Sequence, residues 1–332
     1  MEKLIYSGSP HIRGKSSTKR IMIDVLIALL PACITGVCFF GPRALLVLAL
    51  SVVSAVASEF AYNLLINRKS FKNCAEEFDF TSVVTGLLLG MNLAPAIDWY
   101  VPVLSAIFAV VVVKMMFGGT GKNLFNPAIA GRVFAFISFS AAMTKAANFA
   151  SGSIVLPESG ATPLTQLLNN GNIGDYTLLQ MFLGNTPGCI GETSALAILV
   201  GGLYLVVRGV IDIRYPLLYL GSLGLISVCF AGFDFSVFLP SILGGGAMLC
   251  AFFMATDYVT TPDTVKGNVI YFIALGILTG ILRYSKTSDK IEAVSFALMM
   301  MNITVPLIDK FVVNKPFGYV KVRGKKEKEA KQ

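Results

Sequence analysis

Ser159-Gly160-Ala161-Thr162-Pro163-Leu164 presents a threonine hydroxyl framed by small residues, the stretch of this chain best equipped for chemistry. Pro163 and the following Leu-Thr-Gln-Leu-Leu predict a helix that begins at Pro163 with Thr162 as its N-cap. A Ser or Thr side chain accepts a free backbone amide at that position, and proline fits the first turn. Ser-Gly-Ala ahead of it is ordinary turn material. The same helix end carries unpaired amides and partial positive charge, so it favours an anion, phosphate above all. A phosphate esterified to the Thr162 hydroxyl would rest against those amides, and the small neighbours would let a modifying enzyme reach the oxygen. Cap and modification site share one local structure, and local physics does not separate them.

Four carboxylates stand in or beside apolar stretches: Asp24, Glu59, Glu192 and Asp257. A charge placed inside a bilayer costs roughly 2.5–3.5 kcal/mol on insertion scales and marks a functional position by default. With hydroxyl and carbonyl neighbours, such groups suit Na+ or H+ handling, which makes Asp24, Glu59 and Glu192 candidates for an ion path. An interfacial position or a helix cap is the plainer alternative for each, least so for Glu59, which lies deeper. The stretch Gly118-Gly119-Thr120-Gly121-Lys122-Asn123-Leu124-Phe125-Asn126-Pro127 has the glycines of a phosphate-binding loop. It lacks both Gly-Lys-Ser/Thr and a preceding strand, which excludes nucleotide hydrolysis and leaves a tight turn into a helix with Pro127 in its first turn. The run Met299-Met300-Met301 is packing or lipid-facing surface, not a metal site. Six cysteines are scattered with no Cys-x-x-Cys pair, and the single histidine, His11, sits in a basic tail. No disulfide framework, iron–sulfur site or haem is expected from this chain alone. If the protein moves electrons, it needs an organic cofactor or partner subunits.

The elements that must position these groups are membrane-length. The chain has 332 residues, 55% hydrophobic and 14% charged, with a mean hydropathy of +0.72; soluble domains carry about 25% charged residues. Helices of about 20 apolar residues cross a bilayer, and ten candidate spans emerge: 21–40, 44–66, 80–95, 97–117, 127–143, 190–207, 216–231, 236–255, 269–284 and 291–310. The third, fifth, seventh and ninth are short, as half-helices or broken helices buried in protein would be. Phe78-Asp79-Phe80-Thr81-Ser82 before the third span is echoed by Phe233-Asp234-Phe235-Ser236 before the eighth. The expected fold is all-α and polytopic, about ten transmembrane helices in two inverted five-helix repeats, 21–143 and 190–310, separated by a polar segment at 144–189. Residues 1–20 form a polar tail without a cleavage site, and 311–332 form a basic tail beside anionic headgroups, not a nucleic-acid arm.

Lys and Arg set the orientation. With the N-terminus inside, the inner segments hold most of the 27 basic residues, among them Lys114, Lys122, Arg132, Arg208 and Arg214. The outer segments keep Arg43, Lys145, Arg283, Lys286 and Lys290. Both tails then lie in the cytoplasm, and Thr162 lies on the outer face of a bacterial inner membrane.

Ser-Gly-Ala-Thr-Pro-Leu closely resembles the flavinylation motif of the D subunit of Rnf complexes and of the related B subunit of sodium-pumping NADH:quinone reductases. Family-like segments follow in family order: SGSPHIR at 7–13, TGLLLGMNLAP at 85–95, GKNLFNPAIAGR at 121–132, GETSALAILVGGLYL at 191–205, MATDYVTTP at 254–262 and MNITVPLID at 301–309. The short N-terminal tail looks more like the Rnf subunit. One departure is local: the acidic residue often found shortly before this motif is here Glu158, directly next to Ser159. The resemblance implies FMN joined to Thr162 by a phosphoester, with Ser159, Gly160 and Ala161 as the rest of the motif, attached by a flavin transferase. It also implies a noncovalent riboflavin nearer the inner face, where Asn123, Asn126 and Asp257 become candidate contacts. The implied assembly couples reduced ferredoxin and NAD to Na+ or H+ movement, with an outer-face flavin subunit and an inner-face NAD/iron–sulfur subunit as partners. A solute channel or secondary transporter is the competing class: ten spans, an inverted repeat and a glycine-rich third span suit a pore equally well. It leaves the threonine motif unexplained.

Overall fold

Apolar stretches at helical period, cut by glycine and proline, predict helices with sharp joints. The computed structural model, which describes residues 17–143, 162–174, 176–285 and 292–314, has that architecture, and no strand occurs among the described residues. In chain order the helices are α1 (Thr18–Phe40), α2 (Pro42–Leu65), α3 (Phe71–Glu77), α4 (Thr81–Met91), α5 (Tyr100–Ile107) and α6 (Pro127–Ser138). They continue with α7 (Pro163–Asn170), α8 (Leu178–Leu183), α9 (Ala195–Val207), α10 (Arg214–Phe230), α11 (Phe238–Leu243), α12 (Ala247–Leu249), α13 (Val265–Tyr284) and α14 (Ala293–Phe311). Helix α5 runs on as a π-helix, Phe108–Met115, and α12 as another, Cys250–Met254. Ser159, Gly160, Ala161 and Lys145 lie outside the described residues, as do both tails up to Ser16 and from Lys315.

Local chemistry sets the joints. Ser17 caps α1 by accepting the Arg20 amide, and Gly41, at φ 73°, ends it directly before Pro42 in the first turn of α2. Only glycine adopts that backbone freely, so two helices meet across one residue.

A helical segment stands at each of the ten expected positions. Four helices, α1, α2, α13 and α14, are long and apolar enough to cross a membrane, and the bent pair formed by Phe235–Leu243 and Ala247–Met254 makes a fifth. Shorter apolar helices occupy the remaining positions. Two expectations about breaks need correction. The ninth segment is not short: α13 is a full 20 residues. The eighth, not among the segments expected to be short or broken, bends by 67°. Three consecutive glycines cause the break, because Gly245 (φ 68°) and Gly246 (φ 69°) take a left-handed backbone that a helix does not contain.

Packing follows a pattern that recurs in the two halves. Helix α1 packs on α9, α2 on α4 and α5, and the π-helical end of α5 on α6. In the second half α10 packs on α11 and α13, and α13 on α14, while α6 and α14 join the halves. Small residues let the backbones touch, as is usual where lipid removes the hydrophobic drive between helices. A Cβ at Gly201 of α9 would stand 1.9 Å from the Ala28 carbonyl oxygen of α1, and one at Gly86 of α4 would stand 2.7 Å from that of Ser51 in α2.

The halves meet where α1 packs on α9 and where α6 meets α14, and the second contact is electrostatic. Arg132 of α6 grips Glu292, the N-cap residue of α14, with two parallel hydrogen bonds of 2.7 and 2.8 Å, and donates a third to Asn92 Oδ1 at 2.8 Å. Arg132 and Glu292 are both buried. Removing one member of such a pair strands the other charge and costs about 3–5 kcal/mol, whereas removing both leaves mainly a packing change. Arg132→Met is therefore expected to lower the thermal unfolding midpoint of the detergent-purified protein sharply, and Arg132→Met with Glu292→Leu to recover much of the loss. Equal losses in the single and double variants would show that the pair does not hold the halves together.

Candidate functional site

Two places in the fold collect the candidate residues. The first is a cleft of about 800 Å³, its open mouth included, at the ends of α4, α9 and the two π-helices. Ligand sites of this kind combine apolar walls with a few convergent polar groups. Here Met22, Val84, Leu88, Leu205, Phe252 and Phe253 supply apolar wall, while Thr81, Thr85, Lys114, Asn123, Asn126 and Asp257 gather as polar lining. Lys114 belongs to the first π-helix and Phe252 and Phe253 to the second. Such helices are rare and frequent at functional positions, so their convergence on one cleft is notable.

The structure thus brings Asn123, Asn126 and Asp257 together, but their side chains are not equally free. Asn126 caps α6 by accepting the Ala128 amide at 3.0 Å, and its Nδ2 donates to the Met254 carbonyl at 3.1 Å. Its amide is occupied in joining α6 to the end of the second π-helix. Asn123 donates to the Phe125 carbonyl at 2.8 Å. The glycine loop ahead of Asn123 is the tight turn expected, with Gly118, Gly119 and Gly121 all at positive φ and Pro127 in the first turn of α6. Asp257 follows the second π-helix, and burial pushes its carboxyl from the ordinary 3.8 up to about 6, against the Val259 amide and the Thr260 hydroxyl, which pull it down. The lining offers apolar side chains together with hydroxyl, amide and carboxyl groups to a ligand that is partly apolar and partly polar.

The second place is the N-terminus of α7. Thr162 is its N-cap: Oγ1 accepts the Thr165 amide at 3.2 Å and lies 2.8 Å from Thr165 Oγ1, with Pro163 in the first turn. Thr162 is half-buried, while Leu164 and Leu167 bury against Val237 in a small core of their own. The helix is therefore anchored while its first hydroxyl stays within reach of solvent. Leu164 docks at the glycine break: a Cβ on Gly245 would lie 2.2 Å from Leu164 Cδ2 and 3.1 Å from Arg283 Nη2. Arg283, fully buried, donates to the carbonyls of Ser241 (2.5 Å), Gly244 (2.9 Å) and Gly245 (3.2 Å), and so fixes the surface on which α7 rests. An ester phosphate at Thr162 fits this arrangement, since the helix offers its free N-terminal amides to it.

The ion-path candidates fall in three separate environments. Asp24 of α1 accepts both oxygens' bonds from Arg208 Nη2 at 3.1 Å and one from the Tyr204 hydroxyl at 3.0 Å. Glu59 of α2 accepts from Lys114 Nζ at 3.0 Å and from the Ser82 hydroxyl. Glu192 sits in the turn before α9 and accepts the Cys189 amide at 3.1 Å. The structure does not bring the three together, and for Glu192 it shows a local turn contact. The cations Lys114, Arg132 and Arg208 were legible only as inner-face charge. Their position inside otherwise apolar stretches, each with an acidic residue available elsewhere, was the signal that marks an intramembrane ion pair.

Asp257 gives the cleft a measurable signature. Between pH about 4 and 6 the folded chain holds a proton there that the unfolded chain has released, so this group's contribution to stability falls as pH rises through that window. The stability of Asp257→Asn relative to the parent is expected to improve from pH 4 to 7 and then level off, read from unfolding midpoints at matched pH. A difference that stays constant with pH would remove Asp257 from that role.

Known proteins resemble this chain along nearly its whole length. The NQR2, RnfD, RnfE family matches residues 5–318. The D subunit of the Na(+)-translocating ferredoxin:NAD(+) oxidoreductase complex of Acetobacterium woodii is 41% identical over 331 residues, covering 99% of this chain and 98% of the relative. The D subunit of the proton-translocating ferredoxin:NAD(+) oxidoreductase complex of Clostridium ljungdahlii is 36% identical, covering 94% and 95%. The D subunit of the ion-translocating oxidoreductase complex of Stutzerimonas stutzeri is 34% identical, covering 92% and 93%. The chain belongs to the NQR2, RnfD, RnfE family, and along nearly its whole length it is similar to D subunits of ion-translocating oxidoreductase complexes.

Proposed function

We propose that this chain is the membrane flavoprotein subunit of an ion-translocating ferredoxin:NAD oxidoreductase complex, carrying FMN through a phosphoester on Thr162. The observation that carries this reading is the Thr162 N-cap: a half-buried hydroxyl on an anchored helix end, set in Ser159-Gly160-Ala161-Thr162, in a chain of this family. A flavin accepts two electrons and releases them singly; the protein supplies position and electrostatics. Thr162 would hold the phosphate, the first-turn amides of α7 would meet its charge, and Arg283 and Gly245 would keep α7 in place through Leu164. The cleft bounded by Asn123 and Asp257 would bind a second, noncovalent flavin, with riboflavin as the expected form. The partners in this reading are the other subunits of the complex, including an outer-face flavin subunit and an inner-face NAD/iron–sulfur subunit. A flavin transferase loads Thr162, and the complex couples electron flow to Na+ or H+ movement.

In this reading the helices make ten spans of the bacterial cytoplasmic membrane in two inverted repeats, with both tails in the cytoplasm and Thr162 on the outer face. The recurring helix pairings support the repeat. So do the two aromatic-Asp motifs, since Asp79 accepts the Thr81 amide at 3.0 Å and Asp234 the Ser236 amide at 2.9 Å. The charge asymmetry of the loops supports the orientation.

Denatured, purified protein is expected to keep flavin fluorescence, and Thr162→Ala to lose it. Mass spectrometry of tryptic peptide 146–208 should find one FMN, less water, on Thr162. Covalent fluorescence that survives in Thr162→Ala would overturn the assignment.

A further inference from the structure

Two cavities back onto each other at the start of α4. One is the cleft already described. The other is a polar vestibule of about 1000 Å³ bordered by Glu59, Asn63, Asp79 and Thr120. Thr120 borders both cavities, while Thr81 and Lys114 border the cleft alone.

A single hydrogen-bonded layer separates them. Asp79 accepts from the Thr81 hydroxyl and, at 2.7 Å, from the Thr120 hydroxyl, and those two hydroxyls lie 3.3 Å apart. Lys114 donates to Thr81, to Ser82 at 3.1 Å and to Glu59 at 3.0 Å, and Ser82 in turn donates to Glu59. Every member reaches another, and the layer runs without a gap from vestibule carboxylates to a cleft-side ammonium. The remaining charges nearby stand apart from it: Lys69 pairs with Glu77 at the vestibule rim, and Asp257 lies at the cleft.

An ion pair that served only to hold α2 against α5 would need neither cavity, and apolar side chains of similar size would serve as well. We propose that this layer carries protons from the vestibule to a redox group bound in the cleft, with Lys114 as the last donor. The inference rests on the reading that the cleft holds a flavin or a similar nitrogen heteroaromatic. When an electron-donating partner, an iron–sulfur or flavin protein, adds charge to that group, the low-dielectric cleft makes uncompensated charge expensive and draws a proton. Lys114 gives up its longest hydrogen bond, to Ser82, and one N–H proton passes to the cleft. Glu59 then takes a proton from a hydronium ion in the vestibule, leaving water, and passes it to Lys114 Nζ. For each proton gained in the cleft one hydronium proton is consumed in the vestibule, and Lys114 and Glu59 end as they began.

Arginine separates a relay from a fixed charge, because it keeps the cation yet does not release its proton near neutral pH. The test uses the full-length chain carrying Thr162→Ala, purified in detergent, so that only noncovalent flavin absorbs. Its flavin content is measured after denaturation, and its reduction by dithionite is followed in H2O and D2O. The Thr162→Ala chain is expected to show a solvent isotope effect. Added Lys114→Arg should retain the flavin, slow reduction at least tenfold and abolish the isotope effect, and Glu59→Gln should act in the same direction. Reduction at the parental rate in Lys114→Arg, or no isotope effect before that change, overturns the relay while leaving the cleft reading intact. Loss of flavin from Lys114→Arg also overturns it, making Lys114 a binding contact. A Thr162→Ala chain that releases no flavin overturns the cleft reading and the relay together.

Discussion

Charge that water cannot reach must be met inside the protein, and that constraint organises this bundle. Desolvating a lone ion costs several kcal/mol, so a buried charge is tolerable only where geometry supplies its partner. Glu59 with Lys114 ties α2 to the first π-helix and Arg132 with Glu292 ties α6 to α14, while Asp24, held by Tyr204 and by an Arg208 that still reaches water, ties α1 to the end of α9. Each pair joins elements distant in sequence, so helices whose apolar faces could slide along one another are held at particular heights. Arg283 obeys the same rule differently. It has carbonyls in place of a carboxylate, those at and just beyond the C-terminal end of α11, where the helix dipole favours a cation.

That arrangement couples the two candidate sites to defects in helix regularity. The break at Gly244-Gly245-Gly246 frees carbonyls for Arg283 and opens a surface for Leu164, so one irregularity both satisfies a buried cation and seats the helix that presents Thr162. The π-helices do the corresponding work at the cleft, where one presents Lys114 and the other Phe252 and Phe253. Irregular backbone is tolerated at membrane depth where protein or a cavity satisfies its polar groups, and here it lines both sites.

Much of this was legible in the sequence because it depends on neighbours along the chain. The Thr162 cap, Pro127 and Asn126 at the start of α6, and the helical segments at the expected spans all follow from local propensity and hydropathy. What escaped depends on neighbours in space. Lys114 and Arg132 counted as loop charges because hydropathy windows average over single residues, and their partners Glu59 and Glu292 stand far away in sequence. The break in the eighth segment did not show in its hydropathy because three glycines hardly lower the apolar average, although their backbone freedom allows the 67° bend. Asn126 shows the limit from the other side: its residue type suited a ligand contact, yet both ends of its amide are occupied by backbone.

Lys114 and Arg283 show how the two halves differ. In each half a buried cation near the C-terminal end of the fourth helical segment lies against the third, Lys114 against Thr81 and Ser82, Arg283 against Ser241 and Gly244. The position is shared and the chemistry is not. Lysine, bonded to a carboxylate and two hydroxyls at the edge of the cleft, can exchange a proton without leaving its place. Arginine, locked to backbone carbonyls beneath the Thr162 helix, cannot. If the halves descend from one repeat, they have diverged so that one cation, in the proposed relay, moves charge at the cleft while the other holds still beneath α7.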